Sequence, residues 1–356
     1  MKLFQCQNCR NPVFFENNSC EKCGHYLGYV DSENKLFSLA PTLAAWVLDQ
    51  KDQQAYRFCK NHEFNTCNWL VSANDQTGFC SACKLNKTIP NLENPKNLKK
   101  WRRIELAKHR LIFQLQQLGL PIISKITNEE VGFCFEFLSR KDATLEEAKT
   151  MMTGHANGLI TILVSEADSV LREQMKLQMK ERYRTLLGHF RHEVGHYYWE
   201  RLIQIDNTQL ENFRALFGDE RASYAEALKN HYKNGAPKKW RETFISKYAA
   251  SHPWEDWAET WSHYLHIMDT LETAYYFGLA AHPKLENMEY MGMNASFDPY
   301  RETNFKKIIR AAIPMFFSIN SINRSMGIAD IYPFVIPKPV IRKMKFIHNL
   351  LRAQRS

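Results

Sequence analysis

Long apolar runs are missing from this chain of 356 residues. The longest, such as Ile313–Phe317 and Leu159–Val164, fall far short of the ~20 residues a membrane-spanning helix requires, so no transmembrane segment is expected. Met1-Lys2-Leu3-Phe4 leads straight to Cys6 with no apolar signal core, which argues against secretion by that route and for a cytoplasmic location. There is no low-complexity tract and no internal repeat beyond two cysteine clusters. Cysteine is almost absent from most of the chain: of nine, only Cys134 lies beyond residue 83. With no export signal, closely spaced cysteines at one end favour metal binding in a reducing compartment over disulfides. What the chain does hold is 44% hydrophobic and 13% aromatic residues, enough for a sizeable core in two or three compact units and unlike a disordered chain.

The net charge is +9, much of it in two stretches. Lys84–Arg110 carries nine basic and two acidic residues, and Lys338–Arg355 carries six basic residues and no acidic one. Such stretches are either solvated helix faces or patches that attract nucleic acid, anionic lipid or an acidic protein. A binding patch would include Lys99, Lys100, Arg102 and Arg103.

Cys6-x-x-Cys9 and Cys20-x-x-Cys23 are two knuckles separated by ten residues. Each presents two thiolates from a tight turn, and the pair completes a tetrahedral zinc site. Cys59, Cys67, Cys80 and Cys83 form a second set in which only the last two make a tight knuckle; His62 competes with Cys59 as a ligand, and some of these thiols could instead be merely buried. Sites with four protein ligands keep no open position, so they serve stability or binding rather than catalysis. Cys134, in an apolar run, is expected to be core.

Residues 1–90 read as short strands and knuckles, and Asn91–Asn97 as a linker. Leu98–Leu118 keeps helical spacing and is stopped by Gly119 and Pro121. Val131–Leu138 and Gly158–Val164 read as strands, and helical patterns dominate thereafter. Within the helix expected over Tyr183–Gln204, His192 and His196 stand four apart, on one face, where both imidazoles can hold one zinc ion. Glu193 sits beside them, placed to reach a water rather than the metal. A metal that acidifies water, with a carboxylate to take its proton and pass it to a leaving amine, is the logic of peptide hydrolysis. Gly195 allows another segment to come close. The metzincin continuation requires Gly at 199 and His at 202, where this chain has Trp199 and Leu202. The gluzincin alternative requires a Glu from a second helix. Trp254-Glu255-Asp256-Trp257-Ala258-Glu259-Thr260-Trp261 supplies Glu255 as third ligand, and Glu259, one turn on, to accept the free N–H of a ligand histidine. A solvated acidic face is the competing reading, weakened by the tryptophans; His263 and His266 are rival ligands.

The run Leu187–Trp199, with Phe217-Gly218-Asp219-Glu220-Arg221, His252–Trp261, Ser325-Met326-Gly327 and Tyr332-Pro333-Phe334-Val335, resembles a bacterial family of zinc-binding metallopeptidases with an N-terminal zinc ribbon. The resemblance covers nearly the whole chain and implies a peptidase-like fold. In gluzincins of the thermolysin and lethal-factor types the first acidic residue of a Glu-x-x-x-Asp/Glu pair is the ligand, which favours Glu255 over Asp256. The lethal-factor type also has a tyrosine seven residues before that Glu. Tyr248 matches this offset, which implies a hydroxyl that assists an oxyanion, with an ordinary packed tyrosine as the alternative. The 58 residues between His196 and Glu255 must hold extra helices, from which Arg221, Tyr224 and His231 could face substrate. In zincins a strand placed like Gly158–Val164 borders the cleft and pairs with extended substrate.

The expectation is therefore an α+β protein. A zinc-ribbon region (1–90) with two structural zinc ions precedes a mainly helical, zincin-like domain (91–356) with a small β-sheet and one catalytic zinc. It acts on a peptide or protein substrate. The alternative is a zinc-ribbon adaptor for nucleic acid or protein, with a vestigial peptidase-like site.

Overall fold

The computed structural model describes residues 1–41, 45–48, 54–140, 151–178 and 183–354. Arg355, the last residue of the second basic stretch, lies outside them. The chain divides into two compact units. The first comprises Met1–Phe113 with Ile122–Arg172, the second Gln114–Pro121 with Glu173–Ser356.

The first unit opens with three small antiparallel pieces: β1 (Phe4–Gln5) with β2 (Pro12–Val13), β3 (Tyr26–Val30) with β4 (Lys35–Leu39), and β5 (Trp46–Val47), β6 (Ala55–Phe58) and β7 (Leu70–Ser72) in one sheet. No strand here exceeds five residues, too few to bury a core of their own. An aromatic group joins them instead. Phe15 meets Tyr29 edge-on at 5.0 Å, and Tyr29 lies 4.8 Å from Trp69. β8 (Asn86–Thr88) follows, then α1 (Pro95–Gln117). The polar run expected to be a linker through Asn97 ends earlier. Asn94 accepts from the Lys96 N–H at 3.0 Å, and Pro95, whose missing N–H costs nothing in a first turn, opens the helix. Gly119, at φ +70°, stops the run beyond α1 as expected.

β8 pairs in parallel with β9 (Cys134–Leu138), and β9 pairs in parallel with β11 (Leu159–Leu163). Hence the sheet expected in the second domain is built onto a strand from the cysteine-rich region, and a division at residue 90 does not coincide with the compact units. Packing of α1 agrees: His109 sits edge-on to Trp69 at 5.3 Å and Phe113 lies 4.8 Å from Phe15. β10 (Gly154–Ala156) turns through Asn157 and Gly158, both at positive φ, to cover the other side of β11. With both sides hydrogen-bonded, β11 has no free edge to offer an extended substrate, contrary to expectation. Cys134 is fully buried in β9.

The remaining helices are α2 (Ser169–Gln178), in which the units divide, then α3 (Leu186–Leu202), α4 (Asn207–Phe217), α5 (Tyr224–Asn234), α6 (Pro253–Tyr276), α7 (Phe305–Ser325) and α8 (Lys338–Ala353), making eight among the described residues. A two-stranded pair, β12 (Ala280–Ala281) with β13 (Met293–Asn294), completes the second unit. No helix among the described residues is long and apolar enough to cross a membrane.

The core of this unit is the antiparallel pair α3–α6. Thr185 caps α3, accepting from the Gly188 N–H at 2.9 Å, and His252 caps α6 ahead of Pro253. Close approach depends on Gly195. A Cβ there would stand 3.0 Å from Trp261 and 3.3 Å from the Ala258 Cα, while Trp257 donates to the Gly195 carbonyl at 2.8 Å. Gly195→Val must therefore push the helices apart. We expect a loss of about 1–3 kcal/mol, read as a lower urea midpoint, together with weakened metal binding because His192 and His196 flank the contact. An unchanged midpoint would show that the contact is not tight.

Candidate metal centres

α3 places His192 and His196 one turn apart, and the first turn of α6 brings Glu255 to them. The two Nε2 atoms are 3.2 Å apart, and Glu255 Oε2 lies 3.0 Å from His192 Nε2 and 3.6 Å from His196 Nε2. For a tetrahedral zinc with ligand bonds of about 2.0–2.1 Å, donor atoms stand roughly 3.3 Å apart, so the three fit one ion. Glu255 is 1% exposed, and its Oε2 has no hydrogen-bond partner. A buried carboxylate oxygen aimed at two imidazole nitrogens is a donor set for a cation. Burial works to raise the Glu255 carboxyl, but His196 and His192 hold it well below the usual range. Its place in the first turn of α6, at the positive end of the helix dipole, favours the charged form as well.

Glu259, one turn on, accepts from His192 Nδ1 at 2.8 Å. Burial would raise Glu259, yet the His192 imidazole outweighs it and holds the carboxyl at about 2. The His192 ring is thereby fixed with Nε2 towards Glu255. Its other neighbour on α3, Arg191, is locked to Asp269 of α6 at 2.6 Å. That pair, buried on the Arg191 side and not suggested by the sequence, ties the two helices together. The rival ligands are engaged elsewhere: His263 Nδ1 bonds the Tyr332 hydroxyl at 2.7 Å and His266 Nδ1 meets Arg191.

Glu193 is half-buried on α3. Tyr248 lies in a short 3-10 turn ahead of α6, its ring 5.9 Å from that of His192. Burial pushes the hydroxyls of Tyr248 and Tyr224 far up, and the charges of Glu255 and Glu193 push the same way. Of the residues expected to come from the long insertion, Tyr224 reaches Glu255 and His231 reaches Tyr248, with rings 6.0 Å apart. Arg221 pairs instead with exposed Asp219 at 2.6 Å.

In the first unit Cys6, Cys9, Cys20 and Cys23 form one group and Cys59, Cys67, Cys80 and Cys83 another, each with its sulfurs within 4.8 Å of one another. Observed S···S distances of 3.5–3.7 Å match the roughly 3.8 Å edge of a tetrahedron with Zn–S bonds of about 2.3 Å, and all eight thiols are free. Backbone bonds from Arg10 N–H to the Cys6 carbonyl and from Gly24 N–H to the Cys20 carbonyl close the first two knuckles, with Gly24 at φ +75°. His62 is not a ligand alternative here. Its Nδ1 bonds the Cys67 carbonyl at 2.8 Å and its ring stacks on Phe58.

Around the second group the sequence missed a set of partners on α1. Cys83 Sγ lies 3.8 Å from both His109 Nε2 and Glu105 Oε2. Those three residues could themselves be read as a ligand set, but the fully buried Lys108 ammonium occupies Glu105 at 2.9 Å, where a second cation would be repelled. Lys108 and His109 instead bring positive charge and a ring nitrogen up to a buried cluster of thiolates, which is net negative even with Zn²⁺ bound.

Residues 97–350 match the model of a family described as "Putative zinc-binding metallo-peptidase", and residues 3–94 match a zinc-ribbon domain. The chain belongs to that metallopeptidase family. Uncharacterized proteins of Mycobacterium tuberculosis and Mycobacterium bovis are 42% identical over 351 residues, spanning 99% of this chain and 95% of each relative. No solved structure matches the chain.

Proposed function

We propose that the protein is a zinc-dependent peptidase of the gluzincin kind that hydrolyses peptide bonds, with His192, His196 and Glu255 holding one catalytic zinc and each four-cysteine group holding a structural one. The observation that carries this is the unpartnered, buried Glu255 Oε2 facing two imidazole nitrogens at ligand-pair distances. When bound, zinc supplies a Lewis acid that lowers the pKa of water towards ~7 and polarises the scissile carbonyl. Glu193 takes the proton of the attacking water and returns it to the leaving amine. Glu259 keeps His192 in the tautomer that presents Nε2. Tyr248 donates to the oxygen of the tetrahedral intermediate. The thiolate groups, with all positions filled by protein, stabilise the ribbon rather than react.

The adaptor reading gains little from the basic stretches. Lys84 pairs with Asp75, Lys100 with Asp168 and Lys108 with Glu105, while Arg102 and Arg103 donate to the Phe64 and Ala167 carbonyls. In the second stretch Lys343 is buried against Asp256 and Arg352 donates to the Tyr300 and Pro299 carbonyls. Cleavage of a mixed peptide library by the zinc-loaded full chain tests the peptidase assignment. Products are expected, and they must vanish with His192→Ala. No product from any peptide removes the assignment.

A further inference from the structure

The two carboxylate oxygens of Glu255 face different partners. Oε2 points at His192 and His196; Oε1 accepts a 2.6 Å hydrogen bond from the Tyr224 hydroxyl. Tyr224 is the first residue of α5, directly after its cap Ser223, in a helix with no buried side chain. Its ring rests edge-on against His252 at 5.2 Å and beside Trp254 at 5.9 Å, the residues that cap and begin α6.

A carboxylate ligand can bind a metal through one oxygen or chelate it through both. Two imidazoles and a chelating carboxylate supply four donors, which fills a tetrahedral zinc, so that substrate water enters only as a fifth, more weakly activated ligand. The geometry points to Tyr224 as a positioning residue that limits Glu255 to one metal-binding oxygen and so keeps a coordination position open for the reacting water. This rests on the zinc site proposed above. Tyr224 touches no reacting atom and acts only through Glu255. For Oε1 to swing to the metal it must first give up a short, charge-assisted hydrogen bond. The exposed position of α5 makes this control separable from the fold, since removing one hydroxyl from a helix without buried side chains leaves the α3–α6 core intact.

The test is Tyr224→Phe in the full chain loaded with cobalt(II). Its visible spectrum is taken as a difference against cobalt-loaded His192→Ala, so that the four-cysteine groups subtract. The parent is expected to show the intense bands of four-coordinate cobalt. Tyr224→Phe should keep one cobalt at this site but show the weak bands of a higher-coordinate ion, and its kcat on a cleaved peptide should fall at least tenfold with KM within a factor of two. Tyr224→Leu guards against an effect of the ring and should give the same spectrum. If the spectrum of Tyr224→Phe matches that of the parent, the positioning role is overturned while the peptidase assignment stands on the parent's own cleavage. If the parent shows no difference from His192→Ala, the zinc site itself is wrong and both proposals fall.

Discussion

Glu193→Gln is expected to retain the fold and every bound zinc while losing peptide hydrolysis by about two to four orders of magnitude, the range that a positioned general base contributes. The change is isosteric and removes the proton-accepting oxygen. Glu193 stands on α3 between the two histidines in sequence, is half-buried, and is not one of the three residues whose donor atoms converge. Metal content by mass spectrometry and kcat/KM on one cleaved peptide together give the answer. Equal cleavage by the variant and the parent would mean that another group takes the proton.

Lys343→Met is expected to cost about 3–5 kcal/mol of stability, the usual consequence of stranding a buried charge. Lys343 is 2% exposed, its ammonium 2.5 Å from Asp256 Oδ2 and 3.2 Å from the Thr243 carbonyl, with the Phe244 and Phe217 rings around it. One side chain of α8 thus holds α6, α4 and the segment leading to Tyr248. Burial pushes the Asp256 carboxyl up to about 7 even though Lys343 pulls it down, so without its cation that carboxyl has no compensation. The double variant Asp256→Leu/Lys343→Met should regain most of the loss, because two apolar groups strand no charge. Urea unfolding of the full chain measures both. A single variant as stable as the parent would contradict the account of this pair.

What could be read from the sequence was what local spacing dictates. A helical period puts His192 and His196 on one face whatever surrounds them, and tight Cys-x-x-Cys turns can hardly avoid facing thiolates together. Glu255 was legible because tryptophans at 254, 257 and 261 mark a buried helix on which an acidic residue needs a partner. What could not be read was burial decided by a distant residue. Lys108 and Lys343 count as basic surface until Glu105 and Asp256 are known to lie against them. The expected edge of β11 failed for a similar reason. β10 is three residues without an apolar pattern, and it forms only because Asn157 and Gly158 turn the chain back on itself. The division at residue 90 does not coincide with the compact units, because β8 carries too little hydrophobicity to announce that it pairs with β9, some 45 residues on.

The central claim is that a zinc ion is held by two histidines of α3 and one glutamate of α6. It is tested most directly by zinc stoichiometry of the purified full chain before and after His192→Ala, with folding checked by circular dichroism. Three zinc ions per chain, falling to two in a folded variant, is the predicted result. A parent that binds only two, or a variant that still binds three, would contradict it.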